Sequence, residues 1–252
     1  MPNWCDNSVT ITHSDKSKID AIEAGLSKEE YEFFQTIRPR PATEEDNWYE
    51  WNIANWGTKW DASIIDWERT GEKEIYVSFD TAWSPPVSLY EFMLDQGYDV
   101  EAMYWESGMA FCGRFADGYD DFYEYDISDR ESLEQLPDEL LDFTDLIGRH
   151  EDWLAEEEAE REREEHEAMC TEWFSVETNP HYVGFYETKE EGQWPFYKMA
   201  HWNGKKWTID GKKPKDPIAF WRGLNEDPAI LTEDNAGDML ENMMKDFGFE
   251  KV

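Results

Sequence analysis

The residues best placed to do chemistry sit in two short strings, Asn55-Trp56-Gly57-Thr58-Lys59-Trp60-Asp61 and Thr81-Ala82-Trp83-Ser84-Pro85-Pro86. Asn55, Thr58, Lys59, Asp61 and Ser84 are polar groups set among Trp56, Trp60 and Trp83, with Trp51 close by. Brought together, they would make an aromatic-walled pocket with a few polar anchors. Lys59 would neutralise an anion, and Asp61 would act as a base or orient Lys59. The simpler reading is structural. Trp56, Trp60 and Trp83 then pack a core, Gly57 turns the chain, and Asn55 and Thr58 satisfy backbone groups. That reading places all three tryptophans mostly out of water.

Other reactive types are poorly arranged for catalysis. Cys5, Cys112 and Cys170 lie far apart and form no Cys-x-x-Cys pair. They predict neither a disulfide framework nor a nucleophile signature, and they fit a reducing compartment. His166 and Cys170 stand four apart on a helical stretch, but two ligands do not complete a metal site, so no metal and no cofactor is expected. No phosphate-cradling glycine loop and no Gly-x-Ser-x-Gly is present.

Carboxylates are the most unusual feature. The chain carries 59 acids against 23 bases, a net charge of −36 over 252 residues. Such a field repels phosphate backbones and anionic membranes, so direct nucleic-acid or membrane binding is not expected. A basic protein surface is the expected partner. Two acidic groups stand out: Asp117, Asp120, Asp121 and Glu124, and the run containing Glu156, Glu157, Glu160 and Glu164. Regularly spaced carboxylates can imitate a phosphate backbone; equally, they can simply solvate a connector.

The elements that must hold these residues follow from pattern. Ser8–Thr12, 61–67, 74–79 and 100–105 read as strands, with 109–115 as a further one. A helix follows Ser14-Asp15, with Ile19, Ile22 and Leu26 on its apolar side, and another starts at Pro85-Pro86 and ends near Gly97. Thr70-Gly71-Glu72 is a hairpin turn by composition. The order strand, helix, strand, strand, helix, strand is the split βαβ pattern of a ferredoxin-like sandwich, with both helices on one face. Leu140, Leu141, Phe143, Leu146, Ile147, Trp153 and Leu154 are helix-spaced and suited to docking on a core, and a solvated acidic helix follows. Beyond 182, strands return around Tyr182–Tyr186, 196–201 and 218–221, with Asn203-Gly204 as a hairpin turn and a last amphipathic helix over 233–247.

Fourteen tryptophans in so polar a chain demand real cores, so general disorder is excluded. The expected class is α+β: a ferredoxin-like antiparallel sandwich over 1–128, an acidic helical connector over 129–172, and a small C-terminal β-rich module over 173–252. Charge divides the chain at nearly the same places, with −18 for 1–128, −13 for 129–170 and −5 for 171–252. The N-terminal Met1-Pro2-Asn3-Trp4 lacks a basic region followed by an apolar run, and no stretch approaches the length of a membrane span. A cytoplasmic location is expected.

Four strings in order, Met1-Pro2-Asn3-Trp4-Cys5-Asp6-Asn7, Asn55 to Asp61, Thr81 to Pro86, and Ser107-Gly108-Met109-Ala110-Phe111-Cys112-Gly113, resemble the YubB-type proteins of phages and plasmids. The resemblance covers about half of the chain. It implies a ferredoxin-like N-terminal domain and a mobile-element origin, and no reaction. The stretch 182–224, with His201-Trp202-Asn203-Gly204-Lys205-Lys206-Trp207 and Ala219-Phe220-Trp221, is similar to short phage modules without an assigned activity. The function expected on these grounds is that of an accessory protein binding a host protein through acidic surface, in its narrowest form an anti-defence inhibitor imitating DNA. The alternative is an enzyme or small-ligand binder using the Trp-rich strings around Lys59 and Asp61.

Overall fold

The computed structural model describes residues 3–28, 32–191 and 197–224. The chain divides into two compact units, Met1–Ala155 and Glu156–Val252. The first unit holds β1 (Trp4–His13), α1 (Lys16–Leu26), α2 (Phe33–Ile37), α3 (Trp48–Trp56), β2 (Ser63–Gly71), β3 (Glu74–Ala82), α4 (Val87–Asp95), β4 (Tyr98–Glu106), β5 (Phe111–Ala116), β6 (Tyr119–Glu124), α5 (Arg130–Leu133), α6 (Asp138–Thr144) and the start of α7 (Leu146–Met169).

Its six strands pair in the order β2-β3-β1-β4-β5-β6, antiparallel throughout. The four strands β2-β3-β1-β4, with α1 and α4 as crossovers, give the split βαβ arrangement that the element order predicts. The strands β5 and β6 widen that sheet to six. The alternation along β1 explains the pairing: Val9 and Ile11 are fully buried while Ser8, Thr10 and Thr12, which alternate with them, are half-buried. Ile75, Val77 and Phe79 of β3 and Val100 and Ala102 of β4 continue the same face. Helix α1 meets it with Ile19, Ile22 and Leu26, at i, i+3 and i+7, and starts at Asp15, whose carboxylate accepts from the Ser17 N–H at 2.9 Å. Helix α4 adds Leu89, Tyr90 and Met93, and α2 and α3 add Phe33, Phe34 and Trp56. Each such side chain contributes about 1.5–3 kcal/mol on burial.

The opposite face of the sheet is also partly covered. Trp105 of β4 and Cys112 of β5 pack with Leu133, Leu136, Leu140 and Leu146. The start of the expected connector is therefore part of the first unit, because its leucines complete a second core. The division into two units falls between Ala155 and Glu156, within α7. Helices α2 and α3 and strand β6 were not expected, and the strand expected from 61 begins at Ser63. Strand β6 has no buried residue, so no alternation marks it in the sequence.

The second unit carries the rest of α7 and a five-stranded antiparallel sheet, β7 (Phe174–Ser175), β8 (Gly184–Glu190), β9 (Lys198–Trp202), β10 (Trp207–Thr208) and β11 (Ile218–Arg222), ordered β10-β9-β8-β11-β7. Asn203-Gly204 turns the chain between β9 and β10 as expected. The Asn203 Oδ1 accepts from the N–H groups of Lys205 (3.0 Å) and Lys206 (2.9 Å), and Gly204 takes the left-handed φ of 84°. Tyr186, Trp202, Trp207 and Trp221 make an aromatic cluster with centroids 5.1–6.4 Å apart. The helix expected over 233–247 lies outside the described residues. Among the described residues, no helix is long and apolar enough to cross a membrane.

Candidate functional site

At one end of the first unit's sheet, strings far apart in sequence are stitched together through the backbone. Trp4 and Cys5 pair with Ala82 and Thr81 across β1 and β3. The Asn7 amide donates to the Cys5 carbonyl (2.7 Å) and the Thr81 hydroxyl (2.9 Å), and that hydroxyl donates to the Ser84 carbonyl (2.8 Å). The Trp83 N–H donates to the Asn3 carbonyl at 3.0 Å. From the loop after α3, the Thr58 hydroxyl donates to the Ala82 carbonyl (3.0 Å), and the Ser84 hydroxyl donates to the Gly57 carbonyl (2.8 Å). The Asn52 amide donates to the Lys59 carbonyl at 2.8 Å. Gly57 permits this loop, since its φ of 87° closes α3 in a left-handed cap. The fourth string joins through Glu106, a buried carboxylate that accepts from Gly108 N (2.9 Å) and Met109 N (2.6 Å), with Gly108 seated against the Asn3 side chain. Four strings far apart in sequence thus meet at this end.

What the stitching presents to water is an aromatic platform with a cation on it. Trp60 is 39% exposed and Trp83 40% exposed, and their rings stack with centroids 5.9 Å apart at 28°. Trp4, 44% exposed, lies 6.4 Å from Trp60. The Lys59 Nζ stands 4.5 Å from the Trp60 ring centre, 5.3 Å from that of Trp83 and 5.8 Å from that of Tyr49, all within cation–π range. Trp48 and Tyr49 of α3 are exposed beside one another. Trp83 holds φ at 67°, a conformation that costs a bulky residue of order 1–3 kcal/mol.

The eight residues singled out in these strings therefore divide. Trp56 is in the core, 2% exposed, with its indole N–H donating to the Arg38 carbonyl at 3.0 Å. Trp60 and Trp83 are not in the core, contrary to expectation: the loop between Gly57 and Asp61 turns Thr58 inward and leaves Trp60 exposed, and Trp83 follows the end of β3 with its ring stacked on Trp60. Asp61 is neither a base nor the orienter of Lys59. Its carboxylate accepts from Phe34 N (2.8 Å), Gln35 N (3.0 Å) and Ala62 N (2.8 Å), closing the open N-terminus of α2. Burial pushes its pKa up, and those three hydrogen bonds oppose the rise without cancelling it. Asn55 donates to the Trp51 carbonyl at 2.8 Å, and Thr58 and Ser84 are the stitches already described. Trp4 and Tyr49 belong to the platform, yet sequence reasoning assigned them no role. The only hint was that Trp4 lies in one of the resembling strings.

The acidic groups fall in different units. Asp120, Asp121 and Glu124 are exposed on the outer edge strand β6, and Asp117 sits in the preceding turn with φ at 53°. The Tyr104 hydroxyl donates to Asp120 at 2.6 Å. Carboxylates along an open edge discourage unwanted strand pairing. Glu156, Glu157, Glu160 and Glu164 are all exposed on α7. Cys5 and Cys112 are buried, which pushes the Cys112 thiol up to about 11 and the Cys5 thiol higher still; both stay protonated at neutral pH.

In the second unit, β8 brings Glu187 to the His166–Cys170 pair, a third donor that sequence spacing did not reveal. The Arg222 guanidinium, 2% exposed, donates from Nε to Glu187 at 2.6 Å and pairs with Glu167. It also lies 4.5 Å from the Trp173 ring centre and 5.8 Å from that of Tyr197. Burial works against its charge, but the hydrogen bonds to Glu167 and Glu187 outweigh burial and raise its pKa.

No family model matches the chain, and no curated protein matches it. Among solved structures, it is similar to the crystal structure of a protein api92 from Yersinia pseudotuberculosis, described by the family model DUF1281. The identity is 20% and the TM-score 0.29, over 37% of this chain and 39% of that one. A likeness this slight carries no argument about fold or function.

Proposed function

We propose that this protein is a non-catalytic binding protein of phage or plasmid origin, which docks on a basic host protein through the Lys59–Trp60–Trp83 platform. The observation that carries the reading is Trp83, a bulky residue in a left-handed conformation whose ring stacks on Trp60 and stays 40% exposed. Stability alone does not favour that arrangement, and strain of this kind concentrates where structure serves recognition. Exposed tryptophans with a neighbouring tyrosine are typical of interface hot spots. The chain just before the platform, Glu45, Asp46 and Glu50, is acidic and exposed, so a basic partner would meet an aromatic centre with a negative rim. The net charge of −36 would steer such a partner from a distance. The mobile-element origin rests on the YubB-type resemblance, whose four strings build this end of the sheet. In the narrower form of the proposal the partner is a host DNA-binding protein, and carboxylates of α7 or β6 take the place of phosphates.

The test is capture from host lysate at low and high salt, followed by measured association with the captured protein. Trp60→Ala should weaken binding by about 2 kcal/mol or more, and Lys59→Met by less. Salt should slow association, since rim charges are screened over about 8 Å at physiological ionic strength. Displacement of the partner by DNA supports the narrower form. A partner that ignores Trp60→Ala but is lost when Glu156, Glu157, Glu160 and Glu164 are reversed to lysine would move the interface to α7 and sink the platform.

A further inference from the structure

We propose that His166, Cys170 and Glu187 form a binding site for a divalent transition-metal ion of the zinc type. His166 lies in the last turn of α7, Cys170 follows directly on the helix end four residues later, and Glu187 reaches them from β8. The His166 Nε2 is 3.5 Å from the Cys170 Sγ and also contacts a Glu187 carboxylate oxygen. One donor atom from each residue lies within 4.8 Å of the others. Tetrahedral zinc, with bonds of about 2.3 Å to sulfur and 2.0–2.1 Å to nitrogen, sets its sulfur and nitrogen ligands roughly 3.5 Å apart.

The pattern of contacts argues for convergence on an ion over a proton relay. In a Cys–His–acid relay, one ring nitrogen faces the thiol and the other the carboxylate. Here the same nitrogen faces both. A single imidazole nitrogen serves one hydrogen bond at a time, whereas a metal ion at the common point would engage all three donors. Glu187 is also held in the manner of a ligand. Its second oxygen takes the Arg222 Nε–H at 2.6 Å, which leaves the first aimed at His166. Cys170 and Glu187 are 7% and 5% exposed, so two of the three donors are fixed by packing. One thiolate, one imidazole and one carboxylate suit zinc or cobalt, whereas magnesium and calcium take oxygen ligands. Three protein donors leave a fourth position for a water, a substrate oxygen or a further donor.

The full chain, stripped with chelator, is titrated with cobalt(II) and then zinc(II). The expected result is one cobalt per chain, a near-ultraviolet thiolate-to-cobalt charge-transfer band, visible bands of four-coordinate cobalt, and loss of all of them as zinc displaces it. Cys170→Ser should remove the charge-transfer band and lower affinity by at least about a hundredfold, above the range for losing an outer hydrogen-bond partner. Circular dichroism checks that the variant is folded. Should it misfold, X-ray absorption at the zinc edge of the unmodified protein decides instead, with one sulfur scatterer expected beside nitrogen and oxygen. Sub-stoichiometric metal, a charge-transfer band that survives Cys170→Ser, or an edge spectrum without sulfur would each overturn the site and leave a His166–Glu187–Arg222 ion-pair network in its place.

Discussion

Both units of the protein lay a cation on tryptophan, and they do so to opposite ends. Arg222 is sealed in, and its charge is answered by Glu187 and Glu167 while Trp173 and Tyr197 close over it. Lys59 is half-buried on Trp60 and Trp83, each about two-fifths exposed, and among the described residues it makes no ion pair. The first arrangement is complete within its own unit. The second leaves a charge and ring faces open to another molecule. Chemical likeness between two clusters therefore says little about their roles; burial and charge balance separate them.

The largest expected effect tests that contrast directly. Arg222→Met strips the partner from a buried carboxylate and should destabilise the second unit by about 3–5 kcal/mol in urea denaturation. Lys59→Met removes an exposed cation–π contact and should cost about 0.5–1 kcal/mol. Equal losses would mean that Lys59 is a structural residue and would remove the ground for a binding platform. The same logic separates two tryptophans four residues apart. Trp56→Ala should cost about 3–5 kcal/mol, and Trp60→Ala only about 1 kcal/mol. A loss near 4 kcal/mol for Trp60→Ala would mean that its ring is buried in solution.

Much of the first unit was legible in the sequence, and the reason is periodicity. Val9 and Ile11, then Ile75, Val77 and Phe79, alternate because one face of each strand is buried, and Ile19, Ile22 and Leu26 mark a helix the same way. Strand β6, Tyr-Asp-Asp-Phe-Tyr-Glu, carries no such mark, because an edge strand without a buried face has no reason to alternate. The site was legible in its residue types and not in its geometry. Lys59, Trp60 and Trp83 were singled out, but nothing local says that Asp61 is held by backbone groups 26 and 27 residues away. Nothing local says that the ring at 60 points out while that at 56 points in. Glu187 was missed beside His166 and Cys170 because a sheet strand delivers it from 21 residues away.

The carboxylates repeat the contrast at smaller scale. In the second unit, Glu187 is answered by Arg222. Near the platform, Asp6 and Asp80 face each other across β1 and β3, and one Asp80 oxygen is buried without a hydrogen-bond partner among the described residues. Burial, then the neighbouring Asp6 carboxyl, pushes the Asp80 pKa up to about 6. The folded state thus holds a proton that the unfolded chain, near 3.8, has already released. Stability from this pair is complete below about pH 4 and is lost as pH rises through 6. Asp80→Asn should stabilise the first unit by about 1 kcal/mol at pH 7, after allowance for solvent screening, and the gain should vanish by pH 4. A gain equal at both pH values would show that the pair does not titrate.

The smallest expected effect bears most directly on whether the platform is maintained for binding. Among the described residues, Trp83 is the only large side chain with a left-handed φ; the other non-glycine cases are Ala110, Asp117, Asp145 and Asp210. Aspartate tolerates that region through its short polar side chain, and tryptophan has no such compensation. Trp83→Gly relieves the strain and loses the Trp60 stack and part of the ring's burial, so its net effect should stay within about 1 kcal/mol. Trp83→Ala loses the same contacts but keeps a Cβ at φ 67°, so it should be less stable than Trp83→Gly by about 1 kcal/mol. The difference between the two variants isolates the backbone term, because the indole is absent from both. Partner binding should fall equally in the two, since neither presents the ring. If the glycine and alanine variants are equally stable, Trp83 is unstrained and the chief support for a platform held open for recognition is gone. If Trp83→Gly is the more stable and binding is nevertheless retained, the strain is real but the partner docks elsewhere. Only the combination of a stability gap and a shared loss of binding ties the strained backbone to recognition.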